Sequence, residues 1–191
     1  MKEDELIGKI MKRANDPRRQ NSSRANAASR GILSPDVASN LCPPATLESL
    51  RDAEDRMGFA LPLLLKRVYL EVGNGVFGPG FGLYGLSGGF AEDLQGLTLP
   101  ELYLSDMEYH WPEKLVSICD WGCTMGSAID CSSPDGEMVF EGDASPRCMP
   151  EGITFAGWME DWVNGVDLFE RAYRRYQKRD RPTLRPPFDD Y

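Results

Sequence analysis

Residues 47–75, LESLRDAEDRMGFALPLLLKRVYLEVGNG, constrain the fold more tightly than any other stretch of the chain. Thr46 is a suitable N-cap, because its hydroxyl can accept from backbone N–H groups that the first helical turn leaves unpaired. Behind it, Leu47, Leu50 and Met57 fall near one face of a helix, with Ala53 and Glu54 on the same side. Gly58 permits the left-handed geometry that ends a helix. After the apolar link Phe59-Ala60-Leu61, Pro62 presets φ for the first turn of a second helix. Leu65, Val68, Tyr69 and Val72 recur there at i, i+3, i+4 and i+7, one apolar stripe. Gly73-Asn74-Gly75 stops it. The spacing predicts two antiparallel helices joined at a Leu-Pro corner.

Beyond the helix pair the pattern changes. Phe81 to Leu86 alternates like a strand, and Gly88-Gly89 is a turn. Leu97 to Ser105 reads as helix or irregular structure, and His110-Trp111-Pro112 as a break. Residues 115–119, 127–131 and 137–141 read as three strands, with Trp121-Gly122-Cys123-Thr124 and the turn Ser133-Pro134-Asp135-Gly136 between them. Short turns between consecutive strands predict an antiparallel meander. Phe155, Trp158, Met159, Trp162 and Val163 form a helical stripe ended by Asn164-Gly165, for which core packing is the favoured use. A last helix runs from Asp167 to about Arg179.

These landmarks resemble the SUKH superfamily, the Smi/Knr-type domain. Ala53-Glu54, Gly58, Leu61-Pro62 and Asn74-Gly75 resemble its opening, and Val76 to Leu86 is similar to the Gly-rich passage of one subgroup. Many members carry a second Gly after Asn-Gly, where this chain has Val76. Asp120, Gly122, Asp130, Gly136 and Val139 match the superfamily's strand landmarks in order and approximate spacing. Thr154-Phe155 through Trp158, Trp162 and Val163 are similar to its aromatic closing helix. The resemblance covers residues 46–168 or so. The expected fold is α+β: a predominantly antiparallel sheet with helices packed on it, SUKH-like, plus an N-terminal arm and a C-terminal helix. The expected division is residues 1–40 as an N-terminal helix and polar arm, 41–180 as the SUKH-like domain with closing helices, and 181–191 as a tail.

Charge is unevenly placed. Residues 1–32 sum to +4, residues 33–169 to −16 and residues 170–191 to +3, within a net charge of −9. An acidic body is poorly suited to gripping nucleic acid, so no direct nucleic-acid contact is expected. It suits attraction of a basic protein, and it equally suits plain solubility. No apolar run is long enough to span a membrane. The N-terminus lacks the continuous apolar stretch of a secretory signal, so a cytoplasmic location is expected.

The five cysteines, Cys42, Cys119, Cys123, Cys131 and Cys148, show neither a disulfide framework nor a CxxC pair. His110, Cys119, Cys123 and Cys131 offer four possible zinc ligands, but the ligand spacing is missing and no metal is expected. Two G-x-G-x-x-G matches begin at Gly73 and Gly80. Neither opens a helix after a strand, which a dinucleotide site requires, so no cofactor is expected. With His110 the single histidine and no paired carboxylates set apart, no catalytic residues are assigned and the protein is read as no enzyme.

The resemblance implies a domain that acts by binding another protein. Many members look like immunity proteins, which bind and block a co-produced bacterial toxin, often a nuclease. Others look like intracellular regulatory or scaffolding modules. A surface for a basic partner needs carboxylates that are exposed, clustered and off the core stripes. The candidates are Glu92, Asp93, Glu101, Asp106 and Glu108, with Tyr103, Tyr109 and Trp111 as aromatic anchors. The competing reading of this stretch is a solvated insertion.

Overall fold

Four strands form one antiparallel sheet in chain order: β1 (Leu115–Gly122), β2 (Met125–Asp130), β3 (Glu137–Glu141) and β4 (Cys148–Thr154). The structure is a computed structural model, and it describes residues 2–16, 41–91, 96–142 and 148–178. Cys123 and Thr124 join β1 to β2 with φ of 55° and 62°. Two positive-φ residues make the hairpin turn whose twist matches the strands it connects. Asp130 Oδ1 accepts from Ser132 N at 2.8 Å and holds the start of the β2–β3 turn.

The sequence reading anticipated three of these strands and missed β4. Its sequence, CMPEGIT, carries Pro150 and Gly152 and has no apolar alternation. Proline is tolerated there because β4 is the sheet edge, where a missing donor breaks no ladder. The strand expected at residues 81–86 does not form. Gly78, Gly80 and Gly82 take φ of 109°, 62° and 104°, which interrupts an extended chain. The segment still runs beside β1, with Phe81 N donating to Asp120 O at 2.8 Å and Tyr84 N to Ile118 O at 2.9 Å.

Six helices accompany the sheet among the described residues: α1 (Glu3–Ala14), α2 (Leu47–Met57), α3 (Leu63–Arg67), α4 (Leu99–Met107), α5 (Phe155–Asn164) and α6 (Leu168–Lys178). Thr46 Oγ1 accepts from Ser49 N at 3.1 Å, and Gly58 ends α2 at φ 82°. Glu54 ties the Leu-Pro corner: its Oε1 accepts from Leu61 N at 2.8 Å and lies 3.0 Å from Lys66 Nζ. α3 continues as one π-helical turn, Val68–Val72, closed by Gly73 N donating to Val68 O at 3.2 Å. The helix pair exists, yet its members lie chiefly against other elements. α2 packs on α4, and α3 with its π turn packs on α5 and α1.

One sheet face carries the core. Val116, Ile118, Ile129 and Met138 point toward the helices and meet Leu65, Tyr69, Phe155 and Trp158, all wholly buried. Trp158 and Trp162 therefore serve packing. α1 inserts Leu6, Ile7, Ile10 and Ala14 into the same core. Its Arg13 guanidinium lies 4.9 Å from the Trp162 ring centre and donates to Val163 O at 3.1 Å. α6 covers the far end of this face, where Ala172 and Tyr176 pack on Phe140, and Phe169 stacks on Tyr173 and meets Trp121 at a tilt. A Cβ at Gly142 would run into the Tyr176 ring, so a side chain there is excluded. Among the described residues no helix is long and apolar enough to cross a membrane.

Candidate protein-binding site

α4 is placed by its own first turn. Glu101 Oε2 accepts from Thr98 N at 2.8 Å and from Thr98 Oγ1 at 2.6 Å, a capping box that holds the Glu101 carboxyl below the usual carboxylate range. After Met107 the chain turns back. Tyr109 N and Trp111 N both donate to Asp106 O, at 2.9 and 3.4 Å, and His110 sits at φ 61°. This end of α4 stands beside β1.

The structure separates the eight residues proposed from sequence. Glu92 and Asp93 lie outside the described residues. Glu101 is committed to the cap and to Arg56, 3.9 Å away. Tyr103 is corrected from exposed anchor to core residue: it is buried, packs edge-on against Phe59 at 5.2 Å, and its hydroxyl accepts from Lys114 N at 3.3 Å. Trp111 is half-buried, donating from Nε1 to Leu115 O at 2.7 Å and covering the small cluster of Leu115, Ala128 and Val139. Asp106 points at the sheet, with its Oδ2 3.3 Å from Ser117 Oγ. Glu108 and Tyr109 face solvent, and Tyr109 is 81 % exposed.

Two further carboxylates join Asp106. Strand alternation puts Ser117, Ala128, Val139 and Glu141 on the sheet face away from the main core. Ser117 Oγ donates to Glu141 Oε1 at 2.7 Å, and Glu141 is buried. Asp120 accepts through Oδ1 from Gly122 N at 2.6 Å. Asp106, Asp120 and Glu141 line a cleft of about 180 Å³ between α4 and β1–β3, which Thr124 and Met125 of the hairpin also edge. No lysine or arginine is among the described residues lining it. Sequence reasoning missed both Asp120 and Glu141 as site residues: Asp120 was read as a family landmark just past a strand, and Glu141 as the last residue of one. The available signal was the period-two spacing from Val139 to Glu141.

The remaining chemical candidates are dispersed or structural. Cys119 is buried in the core, where burial pushes its thiol well up, while Cys123 is exposed at the hairpin tip. Among the described residues no group of three or more His, Cys, Asp or Glu side chains is placed to hold a metal ion. The first G-x-G-x-x-G match contains Asn74, which ties the loop of the second, and Gly85 packs against its carbonyl. Asn74 Oδ1 accepts from Leu86 N at 2.7 Å, its Nδ2 donates to Ser87 O at 3.2 Å, and its carbonyl accepts from Phe90 N at 3.0 Å. A Cβ on Gly75 would stand 2.6 Å from Leu83 O, so the Asn-Gly pair is a packing requirement.

Comparison with known proteins adds the family. The chain matches no curated protein. The family model described as SMI1 / KNR4 family (SUKH-1) matches residues 44–164, more than half of the 191-residue chain. The matched span runs from the start of α2 through α5, and α1 and α6 flank it. The chain belongs to the SMI1 / KNR4 family (SUKH-1).

Proposed function

We propose that this protein is a non-enzymatic protein-binding domain: a cytoplasmic immunity protein that binds and neutralises a cognate bacterial toxin with a basic surface, such as a nuclease. The observation that carries the reading is an exposed aromatic, Tyr109, at the end of the helix whose Asp106 lines a carboxylate cleft. Neutralisation by occlusion needs no bond chemistry, only an interface of roughly 1,200–2,000 Å² with a few anchored contacts. In this reading Tyr109 is the anchor, Glu108 and the cleft carboxylates provide the field, and Glu92 and Asp93 extend it by sequence. Like-signed charge around a binding face speeds encounter with an oppositely charged partner.

The test is binding kinetics of the purified chain with a toxin domain encoded beside it. Glu108→Lys slows association, most at low salt, with dissociation less affected. Tyr109→Ala speeds dissociation on the order of tenfold. Unchanged rates in both variants, with the fold intact, move the interface elsewhere. Capture of a non-toxin partner from unstressed cells, with no toxin gene adjacent, replaces the immunity role with a regulatory or scaffolding one.

A further inference from the structure

A groove of about 450 Å³ opens between the Leu-Pro corner and the β2–β3 turn. Phe59, Pro62, Leu63 and Pro134 give it an apolar lining. Leu63 is 58 % exposed at the start of α3, a large apolar side chain that the described core leaves uncovered. Two lysines, Lys66 and Lys114, line it as well, beside Ser132 and Ser133, and no described carboxylate does so. Lys66 is balanced by Glu54, 3.0 Å away. Lys114 has no carboxylate partner among the described residues. Its backbone is nonetheless fixed: Lys114 N donates to Tyr103 Oη at 3.3 Å, and Lys114 O accepts from Cys131 N at 2.8 Å. The groove thus sets one unbalanced, firmly based cation beside apolar surface, in a chain of net charge −9. Its charge is opposite to that of the Asp106 cleft.

We infer that this groove docks an extended peptide segment of a partner protein in which a bulky apolar side chain stands next to an aspartate or glutamate. The apolar side chain lies against Phe59 and Leu63, and the carboxylate meets Lys114. A single free cation on an apolar floor suits one carboxylate. A nucleic-acid backbone asks instead for a row of cations, and the acidic body repels it. Exposed apolar surface of this kind marks interaction sites, and a charge at its rim selects among partners. The site goes beyond the toxin-binding reading and does not depend on it.

The test titrates the full-length, ¹⁵N-labelled chain with an acetylated, amidated peptide of alternating leucine and aspartate, alongside a control with lysine in place of aspartate. Amide shift changes are expected at residues 59–61, 63, 66, 114 and 131–133. Lys114→Glu and Leu63→Asp each weaken binding about fivefold or more. Both positions are exposed, so the variants keep the wild-type thermal transition, and Glu108→Lys leaves peptide affinity unchanged. Equal binding of the lysine peptide, shifts centred elsewhere, no binding at millimolar peptide, or preference for a single-stranded oligonucleotide each overturns the inference.

Discussion

Glu151 of β4 faces Arg171 of α6 at 3.6 Å, with the Glu151 side chain almost wholly buried. That distance is too long for a hydrogen bond, and neither carboxylate oxygen of Glu151 has a hydrogen-bond donor among the described residues. Arg171 turns its other amino group to Asp161, and Arg175 donates to the Glu151 backbone carbonyl. The helix that follows the family-matched span is therefore docked through an ion pair whose carboxylate is under-solvated. Burial pushes the Glu151 carboxyl up to about 7, with Arg171 and Arg175 pulling the other way.

A stability change with pH follows. The folded state holds this proton more tightly than the unfolded chain, whose ordinary value is 4.5. The contribution of Glu151 is fully present below that value and is lost as pH rises through about 7. Its full size is on the order of 3 kcal/mol. Chemical denaturation between pH 4.5 and 8 will show Glu151→Gln gaining stability over wild type as pH rises. A constant difference between the two proteins would refute the shift.

Val76 reverses the usual ranking of alanine and glycine. It holds φ 67° while wholly buried. A β-branched residue is strained there. Val76→Ala keeps the strain and loses buried methyls, at a cost of about 1.5 kcal/mol or more. Val76→Gly relieves the strain and is about 1 kcal/mol more stable than Val76→Ala. Paired urea melts measure the order, and an alanine variant more stable than the glycine one would contradict it.

The β1–β2 hairpin carries removable strain. Cys123 and Thr124 take the two positive-φ positions that Asn-Gly fills most readily. Replacing them as Cys123→Asn with Thr124→Gly raises stability by about 1–2 kcal/mol. The denaturation midpoint moves upward with an unchanged slope if the turn geometry is kept.

Asn74 holds its loop through side-chain hydrogen bonds to two backbone groups. Asn74→Ala leaves the buried Leu86 N and the part-buried Ser87 O without their side-chain partners, and costs about 2–3 kcal/mol. Asn74→Asp keeps the acceptor toward Leu86 N and loses the donor. Its loss falls between wild type and alanine only if the aspartate stays protonated, so the deficit of the aspartate variant grows as pH rises from 4 to 7.

Helix ends proved legible where neighbouring residues set them. Thr46 and Gly58 bound α2 as their chemistry dictates, and Glu54 reaches Leu61 N across the corner it flanks. The same kind of signal was present at Thr98-x-x-Glu101, and reading it would have removed Glu101 from the binding surface. Tyr103 and β4 were a different matter. Tyr103 lies in a helix of weak amphipathicity, so its burial depends on Phe59 and Lys114 arriving from elsewhere. β4 has a strand's backbone without a strand's side-chain pattern, because an edge position beside β3 tolerates Pro150.

The sequence by itself determined the α2 caps, the turns, the first three strands and the Asn-Gly stop, because each is set by dihedral preferences and hydrogen bonds within a few residues. Tertiary structure alone decided that Asp106, Asp120 and Glu141 share one cleft, that Lys114 and Leu63 share another groove, and that α6 closes over Phe140. Those meetings join residues far apart in the chain. Their partners are chosen by which faces the core must bury, and no local spacing carries that information.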